Sequence, residues 1–329
     1  MQLPFSPQRR VHELLPKALV RILLKKLSLG KREPIFGDVI EQYPVSRIYP
    51  LNGFLVSSVT GIRMVTLYQL TMTGFDLFES ASVAKTKYPE RFPAGIAALP
   101  MNDIDAALAE TDRAINDLRL RGVLIYTPIN DKPLDSPEFM PLYEKMAKYN
   151  LPLLIHPMRN PDYPDYKGES ESKYRIYNTF GWPYETSTAM TRIVFSGILE
   201  KYPTLKFVTH HCGGMIPYFA ERIRQFHDLG EMRWGLKYFQ GLTKAPVDYY
   251  KMFYADTALY GNAPALMCGN AFFGPDHILF AIDFPLGDME FGARNYRQTI
   301  NAIEEMDITD EDRKKIYEGN ARKLFRLPI

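Results

Sequence analysis

Cysteine is scarce: Cys212 and Cys268 are the only two in 329 residues. Two thiols cannot make the disulfide framework of a small secreted domain, and a reducing cytoplasm is the expected compartment. Long apolar runs are missing as well, since no stretch approaches the roughly 18 uninterrupted apolar residues of a membrane span. The nearest, Leu14 to Leu27, is broken by Lys17, Arg21, Lys25 and Lys26 and has no small-residue cleavage site, so this stretch is not expected to be a signal peptide. A surplus of one charge is also lacking. The 40 Lys+Arg face 38 Asp+Glu for a net +2, too balanced for a chain that coats nucleic acid. No internal repeat and no low-complexity tract stands out.

What is present is ordinary for a folded protein. Apolar residues make up 46% and charged ones 24%, which permits a normal core and excludes a disordered or collagen-like chain. The length suits one barrel-sized unit with insertions better than one sandwich or two well-grown domains. Charge divides the chain: residues 1–34 hold eight Lys/Arg against Glu13 and Glu33, a local +6 that leaves −4 for the rest of the +2 total. Lys17, Arg21 and Lys25 fall four apart, a charged stripe on a helix opening near Pro16. The expected organisation is a basic helical segment over 1–44, packed on or extending from a barrel domain over 45–329. Its charged stripe reads as a solvated face, with a membrane-surface or partner-docking helix as the alternative.

Seven short β-rich runs follow: 62–69 (IRMVTLYQ), 93–98 (PAGIAA), 122–126 (GVLIY), 151–155 (LPLLI), 205–209 (LKFVT), 251–255 (KMFYA) and 277–282 (HILFAI). They are apolar and nearly without alternation, as strands buried on both faces are. Helical spacing marks 103–119, 138–149, 185–200 and 310–325, the last opening on Thr309 and Asp312 as a capping box. Strand–helix alternation predicts an α/β chain with a parallel sheet, closed as a barrel or open and doubly wound. Seven strands are one short of eight. The missing one comes first, and 45–56 (VSRIYPLNGFLV) is a poor substitute. The one long irregular insertion, 157–184, follows a strand end, where barrels build active sites.

Three of the six histidines stand at carboxyl ends of these runs: His156 after LPLLI, and His210 and His211 after LKFVT. Asp283 ends HILFAI in the same way. Such ends converge on one mouth of a parallel barrel, where imidazole and carboxylate could bind a divalent cation such as Zn2+. The cation would polarise a substrate carboxylate or carbonyl, or acidify a bound water, and a second imidazole would move a proton at neutral pH. Plainer readings compete: a hydrogen-bonded structural His156, and Asp283 as the cap of a helix. If the strand continues, alternation sends His210 and His211 to opposite faces, so that at most one meets the centre. Gly213 and Gly214 serve either a close backbone approach to a ligand or a plain turn. His12, His227 and His277 read as structural, and so does Cys212, which has no neighbouring cysteine.

Several linked motifs carry a family resemblance: YPERFPAGIAALP (88–100), RGVLIYTPINDKPLDSPEFMPLYEKM (121–146), LPLLIHP (151–157), GWPYETSTAMTRIVFSGILEKYPTLKFVTHHCGGMIPYFAERI (181–223), FGPDHILFAIDFPLGD (273–288) and NARKLFRL (320–327). In order and spacing they resemble the amidohydrolase-related family, in the branch of aminocarboxymuconate semialdehyde decarboxylase and the aromatic acid decarboxylases. The resemblance covers about 61–327. It implies a (β/α)8 TIM-type barrel with a metal at its mouth. By residue matching, His156 is a metal ligand and Asp283 a metal ligand or proton-handling carboxylate. His211, matched through Gly213, Gly214 and Pro217, is the catalytic histidine. His210 is left as a flanking residue, and Glu185 is similar to a family residue near the site. Members of the family open with a strand ending His-x-His, which adds two metal ligands, and no His-x-His occurs here. Either the chain as given starts inside the true reading frame, or the lineage has lost two ligands and binds metal weakly or not at all. The intact later motifs favour the first, and the barrel is expected to lack its first strand or to have an altered one.

Together these readings predict a divalent-metal-dependent enzyme, with Zn2+ first and Mn2+ second, that decarboxylates a small aromatic or muconate-type acid without redox chemistry. The metal would rest on His156 and Asp283, and His211 and Asp283 would handle the proton. Arg159, Trp182, Glu185 and His210 would contact the substrate, with Tyr163 and Tyr166 on the 157–184 loop closing over it. Hydrolysis of a lactone or amide would use the same residues, and a catalytically silent barrel is the third reading. The expected partners are a small-molecule carboxylate and a second copy of the chain, as a homodimer joined through helix 16–28 or segment 218–240. Neither nucleic acid nor membrane is expected.

Overall fold

A computed structural model describes residues 52–59, 64–71, 89, 92–235, 241–283 and 289–327. The basic segment expected over 1–44 lies outside the described residues. The strands are β1 Asn52–Val59, β2 Met64–Thr71, β3 Ala94–Ala98, β4 Val123–Thr127, β5 Pro152–Pro157, β6 Lys206–Thr209, β7 Tyr254–Asp256 and β8 Ile278–Leu279. They form one sheet in the order β2-β1-β3-β4-β5-β6-β7-β8. From β3 to β8 every pairing is parallel, so six of the expected runs make a curled half-barrel in chain order. The longer helices are α1 Ile104–Asp112, α2 Met140–Tyr149, α3 Gly181–Phe195, α4 Ile216–Trp234, α5 Ala263–Phe273 and α6 Met289–Glu304. Among the described residues no helix is long and apolar enough to cross a membrane.

The seventh run departs from expectation. β2 pairs antiparallel with β1, and β1 pairs antiparallel with β3 through Phe54↔Ile96, Leu55↔Gly95 and Val56↔Ala94. Only residues 60–63 separate β1 from β2. A parallel return needs a crossover of about a dozen residues or more, whereas a hairpin needs only a few. An apolar run reports burial and says nothing of direction. Part of the stretch set aside as a poor strand, 45–56, contributes to β1.

Strand parity divides the core in two. Ala94, Ile96, Leu124, Leu154, Val208, Leu279 and Ala281 turn inward and pack with Ala321, Leu324 and Phe325 near the carboxyl terminus. Their neighbours Ala97, Val123, Ile125, Leu153, Ile155, Phe207, Ala255, Ile278 and Phe280 turn outward against the helices. Burial on both faces explains the missing alternation. Each fully buried aliphatic side chain contributes roughly 1.5–3 kcal/mol.

Helix ends follow local chemistry. Asp103 caps α1 by accepting from the Ala106 N–H at 3.0 Å. The helix expected over 185–200 is α3, which stops at Phe195, because Gly197 adopts a left-handed φ of +75°. Thr309 caps the final helical stretch: its Oγ1 accepts from the Asp312 N–H at 3.1 Å and donates to Asp312 Oδ2 at 2.9 Å.

Candidate active site

Inward parity continues past the apolar layer into polar residues. Register pairs Tyr126 with His156. The pairings Leu154↔Val208 and Val208↔Tyr254, read two residues on, place His210 and Asp256 in the same tier. Asp283 follows the inward Ala281 by two residues and is buried. The barrel mouth thus gathers His156, His210, His211 and Asp283 from three widely separated parts of the chain. Tyr126 and Asp256 join them and were not among the expected site residues. Parity pointed to both, but the run KMFYA was ended one residue before Asp256. Nothing in the sequence pointed to Tyr260, which also reaches the site.

The expectation that only one of His210 and His211 meets the centre is overturned. The His156 ring lies 4.8 Å from the His210 ring and 6.1 Å from the His211 ring. β6 ends at Thr209, and His211 and Cys212 adopt left-handed φ values of 53° and 52°. That turn cancels the alternation, so both imidazoles face inward.

Each imidazole has a defined partner. His156 Nδ1 lies 2.6 Å from the Pro157 carbonyl, which can only accept, so Nδ1 carries the proton and Nε2 the lone pair. Burial is the main reason that its pKa is pushed down to about 4, keeping the ring neutral. His210 Nδ1 lies 3.0 Å from Asp256 Oδ2, while Asp256 Oδ1 accepts from the N–H groups of Cys212 and Ala258, each at 3.1 Å. His211 Nε2 lies 3.4 Å from Asp283 Oδ2, which also accepts from the Tyr260 hydroxyl at 2.7 Å. Burial alone would lower the His211 pKa, but the hydrogen bond and charge of Asp283 outweigh it and the net shift is upward. Burial likewise works against ionised Asp283, yet the hydrogen bond and charge of His211 draw its pKa below the usual carboxylate range. His211, Tyr260 and Asp283 share left-handed φ values of 53°, 52° and 55° and meet at one oxygen. Backbone strain of this kind clusters at functional sites and costs roughly 1–3 kcal/mol per residue.

Trp182 forms the wall over this cluster. Its ring stacks on His211 at 5.9 Å with a 28° interplanar angle and meets the His156 edge at 5.5 Å. Its Nε1 donates to the Arg159 carbonyl at 2.7 Å. Glu185 Oε2 accepts from the N–H groups of Met158 and Arg159, each at 2.8 Å, so Glu185 anchors the start of the 157–184 loop. The Arg159 guanidinium lies over the Tyr163 ring at 5.2 Å, and Tyr163 donates to Asp131 at 2.6 Å. Tyr166, expected to close over a substrate, is 75% exposed. The remaining described histidines are structural: His227 packs on Phe195 at 4.2 Å, and His277 stacks on Tyr254 at 4.5 Å. Burial pushes the Cys212 thiol pKa up, which leaves it protonated and unsuited to nucleophilic attack.

The donor set includes a pair that fits a divalent cation. His156 Nε2 is buried without a hydrogen-bond partner among the described residues, and it lies 3.8 Å from Asp283 Oδ1. Two lone-pair atoms facing each other at that distance repel unless a positive charge lies between them. Donors bound at about 2 Å to one ion sit roughly 3–4 Å apart, so this pair fits as two neighbouring ligands. Among the described residues no group of three or more His, Cys, Asp or Glu is placed to hold a metal. The described residues therefore supply two ligands of a site that takes four or more.

Comparison with known proteins shows the family and the fold. Residues 67–327 match the amidohydrolase family model Amidohydro_2. A gamma-resorcylate decarboxylase of Polaromonas sp. (strain JS666) is 32% identical over 252 residues, covering 73% of this chain and 72% of that protein. The crystal structure of 5-carboxyvanillate decarboxylase from Sphingomonas paucimobilis superposes with a TM-score of 0.62 at 27% identity, covering 76% and 71% of the two chains. The dihydroxybenzoic acid decarboxylase structure from Polaromonas sp. JS666, with bound manganese and the inhibitor 2-nitroresorcinol, gives 0.61 at 28% identity, covering 76% and 73%. The half-barrel, the residues gathered at its mouth and the family match over most of its length together make this chain a member of the amidohydrolase family.

Proposed function

We propose that the chain is a divalent-metal-dependent lyase that removes CO2, without redox chemistry, from a small aromatic acid. The observation that carries this reading is the setting of His211: a buried proton carrier held against Asp283, with an aromatic wall stacked on its ring. The similar proteins described above are decarboxylases of aromatic acids by name.

A planar acid lying along Trp182 brings a ring carbon to His211. The raised pKa keeps the imidazolium populated above the usual value of about 6.5. His211 Nε2 transfers its proton to the carbon that bears the carboxylate. The bond from that carbon to the carboxyl group then breaks, its electron pair restores the aromatic ring, and CO2 leaves. The 3.4 Å contact between Nε2 and Asp283 is long for a hydrogen bond and is readily given up to substrate. Ionised Asp283 stabilises the imidazolium before transfer, and Tyr260 holds its Oδ2. A divalent cation held by His156 and Asp283 would supply positive charge to a substrate oxygen. Zn2+ and Mn2+ both accept imidazole and carboxylate ligands, and the Polaromonas structure holds manganese.

The compartment and assembly belong to the same reading. Unbridged Cys212 and Cys268 support a reducing cytoplasm. Tyr218, Phe226, Met232 and Trp234, exposed on α4, support a homodimer.

The test is CO2 release from 2,6-dihydroxybenzoate by the full chain supplied with Mn2+ or Zn2+, compared with His211→Asn. The variant is expected to lose about 10²-fold or more in turnover, the scale of a proton-transfer group. A variant as active as the parent chain refutes the role of His211, and lactone ring opening without CO2 release refutes the decarboxylase reading.

A further inference from the structure

We propose that the Tyr126 hydroxyl determines specificity by donating a hydrogen bond to a ring hydroxyl of an aromatic acid bound beside His156. The inference rests on the reading of the mouth as an aromatic-acid site and deepens it by naming the substituent that the site selects.

Three observations carry it. Tyr126 shares the inward tier of His156, and its ring meets the His156 ring in a T-shaped contact at 5.8 Å. Its hydroxyl is buried and has no hydrogen-bond partner among the described residues. Its side chain packs on the inner apolar cluster that includes Leu124 and Leu154. Against the described residues phenylalanine would fill the same space without burying an unpaired hydroxyl, so there the oxygen adds no contact that holds the fold. Unpaired buried groups at an otherwise well-packed mouth mark a place where a ligand supplies the missing partner.

The chemistry of the partner follows from the surroundings. A tyrosine phenol ionises only near pH 10, so at neutral pH the Tyr126 hydroxyl is an uncharged donor and acceptor. A single neutral donor against Leu124 and Leu154 does not offset the dehydration of a carboxylate, whereas it exchanges evenly with a neutral hydroxyl. In the sheet order Tyr126 flanks His156 on the side away from His210. The ionised end of the acid belongs at His211, and a hydroxyl on the same ring faces Tyr126. A site that hydrogen-bonds a substrate hydroxyl rejects the analogue lacking it, because its own polar group is then left unpaired.

The experiment titrates the full chain in Mn2+ buffer with 2,6-dihydroxybenzoate and with benzoate, reading quenching of Trp182, whose ring lies 5.5 Å from His156. The chain has two tryptophans, so a Trp234→Phe background isolates this signal without requiring turnover. Tyr126→Phe is expected to weaken dihydroxybenzoate about tenfold and to leave benzoate within about twofold. The same variant is expected to melt no lower than its parent. Equal weakening of both probes, or of neither, overturns the assignment of Tyr126. A lower melting temperature shows that the hydroxyl has a structural partner and overturns it as well. Failure of both probes to quench the parent chain refutes the aromatic-acid reading itself, and this inference with it.

Discussion

Asp256 is the side chain on which one wall of the mouth depends. It is fully buried, with one oxygen on His210 Nδ1 and the other on two backbone amides. A carboxylate only accepts, so His210 must carry its proton on Nδ1. Asp256→Asn keeps the volume and can still accept from both amides, but it turns an NH2 group toward His210. The imidazole must then move its proton to Nε2, and a charge-assisted bond becomes a neutral one at a cost of about 1–2 kcal/mol. Asp256→Ala leaves three buried N–H groups unpaired at about 1–3 kcal/mol each, a large part of the 5–15 kcal/mol that typically holds a protein folded. At about 2 °C per kcal/mol for a chain of this size, the Asn variant should melt about 2–4 °C lower, and the Ala variant at least about 6 °C lower. Urea unfolding and calorimetry measure the stability, and side-chain 15N shifts report the His210 tautomer. An Ala variant within about 0.5 kcal/mol of the parent would refute the account, as would an Asn variant that leaves the tautomer unchanged.

Two further outcomes follow from packing and charge. A Cβ at Gly269 would lie 2.2 Å from Cys212 Sγ but 3.8 Å from Cys212 Cβ. Gly269→Ala should therefore cost about 1–3 kcal/mol in urea unfolding, and Cys212→Ala in the same chain should recover most of it; strictly additive effects would show that the two positions do not touch. Asp112 accepts from Lys145 at 2.5 Å and Tyr149 at 2.6 Å, and these bonds lower its pKa. A carboxylate with a depressed folded pKa stabilises above its unfolded value of about 4 and loses that contribution as pH falls toward the folded value. The side chain is 45% exposed, so the stability gap between the parent and Asp112→Asn should be only about 0.5–1 kcal/mol at pH 7. It should narrow below about pH 4, and a gap that widens on acidification contradicts the assignment.

Most of the site was legible in the sequence because a parallel sheet turns chain order into spatial order. A polar residue closing a buried apolar run lands at the same end of the sheet as its counterparts, however far apart they lie in the chain. His156 and Asp283 were found on that rule. Tyr126 and Asp256 obey it too and were missed for different reasons. Tyr126 reads as one more aromatic at the end of GVLIY, and Asp256 lay one residue beyond the boundary drawn for KMFYA. Glu185 was expected near substrate, and that it holds two loop amides could not be read from the sequence, because it depends on which N–H groups come within 2.8 Å.

Burial patterns, strand–helix alternation and cap chemistry are local, and through them the amino-acid order by itself determined the six parallel strands, the Thr309 cap and the strand-end placement of the reactive side chains. Tertiary structure alone decided which way the chain turns after each strand. Left-handed backbone at His211, Tyr260 and Asp283 is disfavoured in any isolated segment, and it persists because surrounding packing over-determines it. Those three turns bring His211 in beside His210 and place a phenol and an imidazole on one carboxylate oxygen, an arrangement held by contacts between residues far apart in the chain.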